Sequence, residues 1–333
     1  MLKHLSRKYK EDPNTGFGTS ATTQGTRLVS KDGNYNVRRR GLPFGYRLNY
    51  FHHLITMPWW QFNLVVLLAY TVINLFFAEI YLWIGVDELG GIAAGTPFDT
   101  FLEAFYFSCQ TFSTVGYGRI NPIGHAAGLV ASFESLAGLM SFALATGLLY
   151  GRFSRPRASL LYSESALIAP YQGISALMFR IANGRENQLV ECEAQLLLSI
   201  NIVENERVVR KFFPLKLERE KVTGLSLSWT IVHPIDDDSP LKGWGQTDFK
   251  DAEAEVVFIF KAFDDTYSQH VHTRYSYHHE EMVWGARFVP MYHASPDGTG
   301  TVLELDKLSY YTAADLPEGA NPTPMSEQAD ATR

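Results

Sequence analysis

Two stretches of this chain run apolar with almost no interruption, and a shorter mixed segment joins them. From Trp59 to Val86 the only acid or base is Glu79, and about 28 residues of helix cross a bilayer with some tilt. From Ile123 to Phe153 the only acid is Glu134, and the Gly, Ala and Ser content suits close helix contact inside a membrane. The joining segment has its own helical period. Phe98, Leu102, Phe105 and Cys109 recur on one face, Thr96 stands where a cap belongs, Pro97 fits the first helical position and Asp99 completes a capping box. These signals predict a helix over 97–113, too short to cross. A helix of that length at membrane depth is re-entrant and must lie against protein or water.

Its C-terminal end runs into Thr114-Val115-Gly116-Tyr117-Gly118. Helix carbonyls there carry partial negative charge, which favours a cation. Gly116 and Gly118 have the backbone freedom to turn successive carbonyls toward one axis. One chain supplies a single wall of such an axis, so several copies are needed to close it.

Outside the spans the pattern changes twice. Residues Pro43 to Met57 place Phe44, Leu48, Phe51 and Ile55 on one helical face, as in a helix lying in the membrane interface, with a polar juxtamembrane loop as the alternative. After Pro156 the period becomes two. SALMFRIAN, ECEAQLLLSINIV, RVVRKFFPLKL, LSLSWTIVHPI, EVVFIFKAF and TVLELDKL read as strands divided by turn signals, which indicates an all-β, immunoglobulin-like sandwich. The expected organisation is a flexible tail over 1–36, a basic segment with the interfacial helix over 37–57, a pore domain over 58–153, a β-sandwich over 154–312 and a disordered tail over 313–333.

Composition hides this division. The net charge is −6 and 19% of residues are charged, yet between Leu48 and Gly151 the only Lys or Arg is Arg119. Arg38, Arg39, Arg40 and Arg47 precede the first span and Arg152, Arg155 and Arg157 follow the second. The positive-inside rule then puts both termini in the cytoplasm of a multi-pass plasma-membrane protein. Mild acidity argues against nucleic acid. No catalytic triad, zinc cluster or phosphate-cradling loop stands out, and no cofactor is expected. Tyr277-His278-His279 reads as a strand end rather than a metal site, and His52 and His53 as interfacial histidines. Cys109 and Cys192 suggest no disulfide framework.

The pentapeptide TVGYG resembles the filter sequence of potassium channels. RIANGR (Arg180 to Arg185), LSWTIVHPIDDDSP (Leu227 to Pro240) and EEMVWGARF (Glu280 to Phe288) resemble the cytoplasmic domain of inward-rectifier potassium channels of the prokaryotic, KirBac type. KDGNYNVRRRG and GRFSRPRA fit the same family, and the resemblance spans roughly 28–310.

The resemblance implies a homotetrameric potassium channel, with K+ at Thr114, Val115, Gly116 and Tyr117 and no chemistry performed. It implies a hinge at Gly138, a gate at Tyr150 and a cytoplasmic constriction at Val283, Gly285 and Ala286. Tyr117 is expected to pack on the pore helix as a spacer. Phe142 occupies the cavity position where strong rectifiers carry an acid, which weakens the case for tight polyamine block; Ba2+ and Mg2+ remain the other pore-blocking cations implied. Gln110 replaces the glutamate common in animal relatives, so the support of the filter must differ.

Several residues keep two readings. Glu191 and Glu281 are either cytoplasmic pore acids that attract cations or solvated strand-end acids. Glu134 is either functional within the span or hydrogen-bonded behind the pore helix. Arg38 to Arg40, Arg152, Arg155 and Arg157 either enforce topology or bind anionic membrane lipids. The alternative to a channel is a membrane-anchored β-sandwich sensor without conduction, and that reading leaves the TVGYG segment unexplained.

Overall fold

The computed structural model describes residues 27–31, 33–34, 36, 40–41, 50–93, 95–154, 159–185, 187–204, 207–298 and 300–317. They form two compact units, one from 40–155 and the other from 1–39 together with 156–333. Arg38, Arg39, Arg155 and Arg157, and residues 43–49 of the proposed interfacial helix, lie outside the described residues.

In the first unit, α1 (Tyr50–Thr56) precedes α2 (Trp59–Ile84), β1 (Leu89–Gly90), α3 (Pro97–Phe112), β2 (Asn121–Pro122) and α4 (His125–Phe153). At 1.5 Å per residue α2 and α4 are each about 40 Å long, more than a hydrocarbon core requires. Only 17% of each apolar window is covered by the chain itself, the reverse of a core helix in a soluble protein. Leu67, Leu68, Phe76, Leu139 and Leu144 are all exposed. That much bare apolar surface is stable only against lipid or further protein.

The faces that are covered carry small residues. Ala78 on α2, Ala104 on α3 and Ala127 on α4 are fully or almost fully buried, and the Tyr81 and Phe107 rings meet edge to face at 5.0 Å. Gly138 on α4 is buried against the end of α3: a Cβ there would lie 2.0 Å from the Phe112 carbonyl oxygen. The helix α1 meets α4 through Ile55 and Phe51, whose side chains would lie 3.7 and 3.9 Å from a Cβ at Gly151. Antiparallel pairing of Leu89 with Pro122 and Gly90 with Asn121 brings the two ends of the joining segment together.

The second unit is a two-sheet sandwich. Its strands are β3 (Leu160–Tyr162), β4 (Ala166–Tyr171), β5 (Ile174–Asn183), β6 (Leu189–Glu204), β7 (Arg207–Leu215), β8 (Lys221–Gly224) and β9 (Ser228–Pro234). After α5 (Gln246–Asp251) come β10 (Glu255–Asp264), β11 (Gln269–His278), β12 (Met282–Trp284), β13 (Ala286–Phe288), β14 (Tyr292–Ala294), β15 (Thr301–Leu303) and β16 (Tyr311–Ala313). One sheet runs β11-β10-β6-β7 with β8 also on β6; the other runs β12-β4-β5-β3 with β9 also on β5.

Alternate residues of the two sheets interdigitate. Phe179 of β5 packs its ring edge-on to Phe258 of β10 at 5.0 Å and against Tyr277 of β11 at 5.0 Å, and Phe179, Phe258 and Tyr277 are fully buried. Each such ring contributes about 1.5–3 kcal/mol by leaving water.

Two sequence expectations are corrected here. Residues 27–31, assigned to the flexible tail, are folded onto this sandwich. Leu28 is 5% exposed and Val29 fully buried, their N–H groups donate to the Glu255 carboxylate at 2.9–3.2 Å, and Ser276 Oγ donates to the Val29 carbonyl at 2.7 Å. At the other end, Ala313 belongs to β16 and Leu316 packs on the main core, so the ordered domain continues past residue 312.

Candidate functional site

The capping box predicted for α3 forms as a reciprocal pair. Asp99 N donates to Thr96 Oγ1 at 3.2 Å, and Thr96 N donates to Asp99 Oδ2 at 2.9 Å. Local hydrogen bonding holds the Asp99 carboxyl below its usual range. The helix therefore starts at a defined residue, and its length sets where the far end delivers the chain.

At that end one carbonyl does double duty: Gln110 O accepts from Val115 N at 2.9 Å and Gly116 N at 3.3 Å. The contact folds the next residues back on the helix. Thr114, Gly116 and Gly118 then take φ of 61°, 54° and 82°, with ordinary backbone between them. For the two glycines this region carries no Cβ penalty; Thr114 is strained, a cost of order 1–3 kcal/mol that survives only where the surroundings enforce it. The whole segment is exposed, Val115 by 54% and Tyr117 by 80%. Tyr117 is thus left largely uncovered by its own chain.

Behind α3 lies a buried polar cluster. Glu134 on α4 is fully buried and accepts from Tyr81 Oη at 2.6 Å and from Ser108 Oγ. Ser108 also stands 3.0 Å from Asn74 Oδ1, and Asn74 donates to the Tyr70 carbonyl at 2.7 Å. Of the two readings of Glu134, the hydrogen-bonded one is what forms. Its carboxyl ties α2, α3 and α4 together at one level, where an unpaired polar group would cost several kcal/mol.

Beyond the pentapeptide, Arg119 pairs with Glu103 and donates to Gly91 O at 3.3 Å. The pentapeptide is thus flanked by the Gln110 carbonyl on one side and by the Arg119–Glu103 pair on the other. Glu88 caps α4, accepting from Ala127 N at 3.0 Å. Glu88 and Glu103 carried no sequence signal, because their partners lie across loops; a carboxylate near a helix N-terminus was the one available hint.

At the Thr114 end of the pentapeptide, a cavity of about 640 Å³ opens between α2 and α4. Thr114, Gly138 and Phe142 are among its lining residues. Phe142 and Tyr150 are each 73% exposed, so their rings are presented outward from α4.

Arg152 is engaged within its own unit. Its guanidinium donates to Leu54 O at 2.6 Å and Met57 O at 2.8 Å, and lies 4.4 Å above the Trp59 ring and 4.6 Å above Phe62. It caps the end of α1 against α2, a place where a cation answers orphan carbonyls. Arg40 is exposed.

In the sandwich, Val283 pairs with Leu167 in parallel, and Gly285 takes φ 67° while its N–H donates to Ile168 O at 2.9 Å. Ala286 is 1% exposed and packs with Leu167 and Ala169, so of the expected constriction residues it is the one that faces inward to the domain. Glu191 is exposed and bends the strand at φ 50°, next to the irregularity of the β6–β10 pairing.

Glu281 is not a free pore acid. It pairs with Arg27 and with Lys31 at 2.8 Å, and accepts from His278 N at 3.0 Å. Burial alone would raise its carboxyl; these hydrogen bonds and charges outweigh burial and hold it below the usual range.

Comparison with known proteins places this geometry. Residues 160–321 match the inward rectifier potassium channel C-terminal domain, and residues 65–155 match the ion channel family. The chain is 36% identical over 274 residues to inward rectifier potassium channel Kirbac3.1 of Paramagnetospirillum magnetotacticum, covering 82% of this chain and 91% of that one. It is 27% identical over 307 residues to inward rectifier potassium channel 4 of Mus musculus, covering 80% and 68%. It is 29% identical over 291 residues to G protein-activated inward rectifier potassium channel 2 of Pongo abelii, covering 80% and 67%. Two long apolar helices, a short capped helix between them and a β-sandwich after them thus have one shared explanation: the chain belongs to the inward-rectifier potassium channel family, and is a membrane-embedded potassium channel rather than an enzyme or a bare anchor for a binding domain.

Proposed function

We propose that Thr114 to Gly118 is the potassium-selective part of the path, lined in four copies of this chain around one axis. The observation that carries this reading is the run of left-handed backbone at Thr114, Gly116 and Gly118 directly after the end of α3. Alternating handedness turns successive carbonyls to one side, and with the Thr114 hydroxyl they replace the hydration shell of K+. The exposure of Val115 and Tyr117 supports a multimer, since such side chains at membrane depth need neighbours. Tyr117 then acts as a spacer between copies, not within one.

In the same reading both termini are cytoplasmic, Gly138, Phe142 and Tyr150 line or flank the inner path, and Val283 with Gly285 narrows it within the β-domain. Arg38, Arg39, Arg40, Arg155 and Arg157 draw anionic lipid headgroups to the inner membrane face. Ba2+, Mg2+ and polyamines enter from the cytoplasm, and Phe142 leaves polyamines without a cavity carboxylate.

Rubidium uptake into liposomes tests this. Selective uptake over sodium, blocked by Ba2+, is expected, with Gly116→Ala losing selectivity because alanine resists φ near +54°. Sodium passing as readily as rubidium, or Gly116→Ala retaining full selectivity, overturns the filter assignment. Repeating uptake with graded anionic lipid tests the arginines: Arg155→Gln with Arg157→Gln is expected to flatten the lipid response, and an unchanged response rejects their role.

A further inference from the structure

A cluster of metal-type donors lies just before the proposed constriction residues Val283 and Gly285. His278 ends β11, His279 and Glu280 open the 3-10 turn His279–Glu281, and β12 begins at Met282. One donor atom from each of His278, His279 and Glu280 falls within 4.8 Å of the others. In sequence these histidines read as a strand end, and adjacent residues in a strand point to opposite faces. The turn removes that objection: leaving the strand at His279 brings the two rings to a centroid distance of 4.0 Å with 49° between their planes.

We propose that His278, His279 and Glu280 form a binding site for one zinc-class divalent cation per chain. Two imidazoles and a carboxylate are the donor set of three-ligand zinc sites, in which water completes the fourth position. Nitrogen donors disfavour Mg2+ and Ca2+, which take oxygen. Bonds of about 2.0–2.2 Å to a tetrahedral ion put donors roughly 3.3–3.5 Å apart. The exposed Glu280 carboxylate closes the remaining distance by rotamer change.

Two further observations point to a ligand. The His279 Nδ1 atom is buried and has no hydrogen-bond partner among the described residues, a costly state in a native protein that calls for an explanation. The turn is also held in place by contacts of its own. His278 N is held by Glu281, which Arg27 and Lys31 hold in turn, and His278 pairs with Glu255 in the β10–β11 ladder. Glu281 is thereby committed elsewhere, leaving Glu280 as the carboxylate for the ion. The site directly precedes Val283 and Gly285, so a bound ion would stiffen the approach to the proposed constriction.

Calorimetric titration of the untagged full-length protein with ZnCl2, and absorption spectroscopy with CoCl2 as the coloured substitute, test the proposal. One saturable Zn2+ per chain is expected, with an intense tetrahedral or five-coordinate Co2+ spectrum and no comparable response to MgCl2. His279→Gln and Glu280→Gln should each weaken Zn2+ binding at least tenfold, and His278→Gln with His279→Gln should abolish the Co2+ spectrum. Glu280 is exposed, so its variant keeps the fold and separates ligand loss from unfolding. Absence of saturable binding, or Zn2+ affinity and Co2+ colour unchanged in the double variant, overturns the proposal. The second result would assign the metal to other histidines among the 10 in the chain.

Discussion

Gly138→Ala is expected to eliminate rubidium flux. The added methyl would sit 2.0 Å from the Phe112 carbonyl oxygen and 2.9 Å from its carbon, both main-chain atoms that cannot swing aside. Relief requires α4 and the end of α3 to part by about 1 Å, and a close-packed interior passes such strain along instead of absorbing it. Phe112 is the last residue of α3, and Gln110 two residues earlier holds Val115 and Gly116 through its carbonyl. The displacement therefore reaches the residues proposed to hold potassium.

Gly128→Ala on the same helix is the control, because a Cβ there meets nothing in the chain within 4 Å and glycine in a helix costs about 0.5–1 kcal/mol relative to alanine. Flux through Gly128→Ala should stay near that of the unaltered channel. This contrast also separates two accounts of Gly138. A residue needed only as a hinge would leave the closed packing of Gly138→Ala intact, whereas a residue needed for close approach would not. Unaltered thermal stability and flux in Gly138→Ala would refute the close-approach account.

Arg210→Met is expected to lower the melting temperature of the purified channel by roughly 10 °C. The guanidinium is 2% exposed and donates to the fully buried Glu255 carboxylate at 2.7 Å and to Ser199 Oγ at 2.6 Å. Methionine keeps much of the apolar stem but removes the charge, so Glu255 stays buried with only the Leu28 and Val29 N–H groups. Breaking a buried pair in this way costs about 3–5 kcal/mol, and each kcal/mol shifts a domain of this size by about 2–4 °C.

The exposed pair of Lys221 with Glu193, at 3.8 Å, provides the comparison. A solvated pair contributes about 0–1 kcal/mol, so Lys221→Ala should move the transition little. Similar shifts for the two variants, read by static light scattering and tryptophan fluorescence on heating, would show that Glu255 is not a buried charge dependent on Arg210. Because Glu255 also holds Leu28 and Val29, Arg210→Met should further expose residues 27–31 to protease.

The spans, the capped helix and most long strands are legible in sequence for a single reason: each is a local pattern whose meaning does not depend on distant residues. Thr96, Pro97 and Asp99 announce the start of α3 within four positions. β11 escaped notice because QHVHTRYSYH carries polar residues through most of its length; its partner β10 supplies the apolar face that justifies it. Arg152, Glu281 and residues 27–31 are engaged by groups far along the chain, which no short window of sequence shows: Arg27 with Glu281 across 254 positions and Arg152 with Leu54 across 98.

What the sequence by itself determined is therefore the order and character of the elements: two membrane-length helices, a re-entrant helix ending in TVGYG and a β-sandwich, all set by periodicity and caps of short range. Only the tertiary structure decided which charges are spoken for, that Glu134 joins three helices, that Ala286 faces inward and that His278 and His279 share a turn. Charges and glycines have roles defined by what lies opposite them, and the chain reveals that only once it has folded.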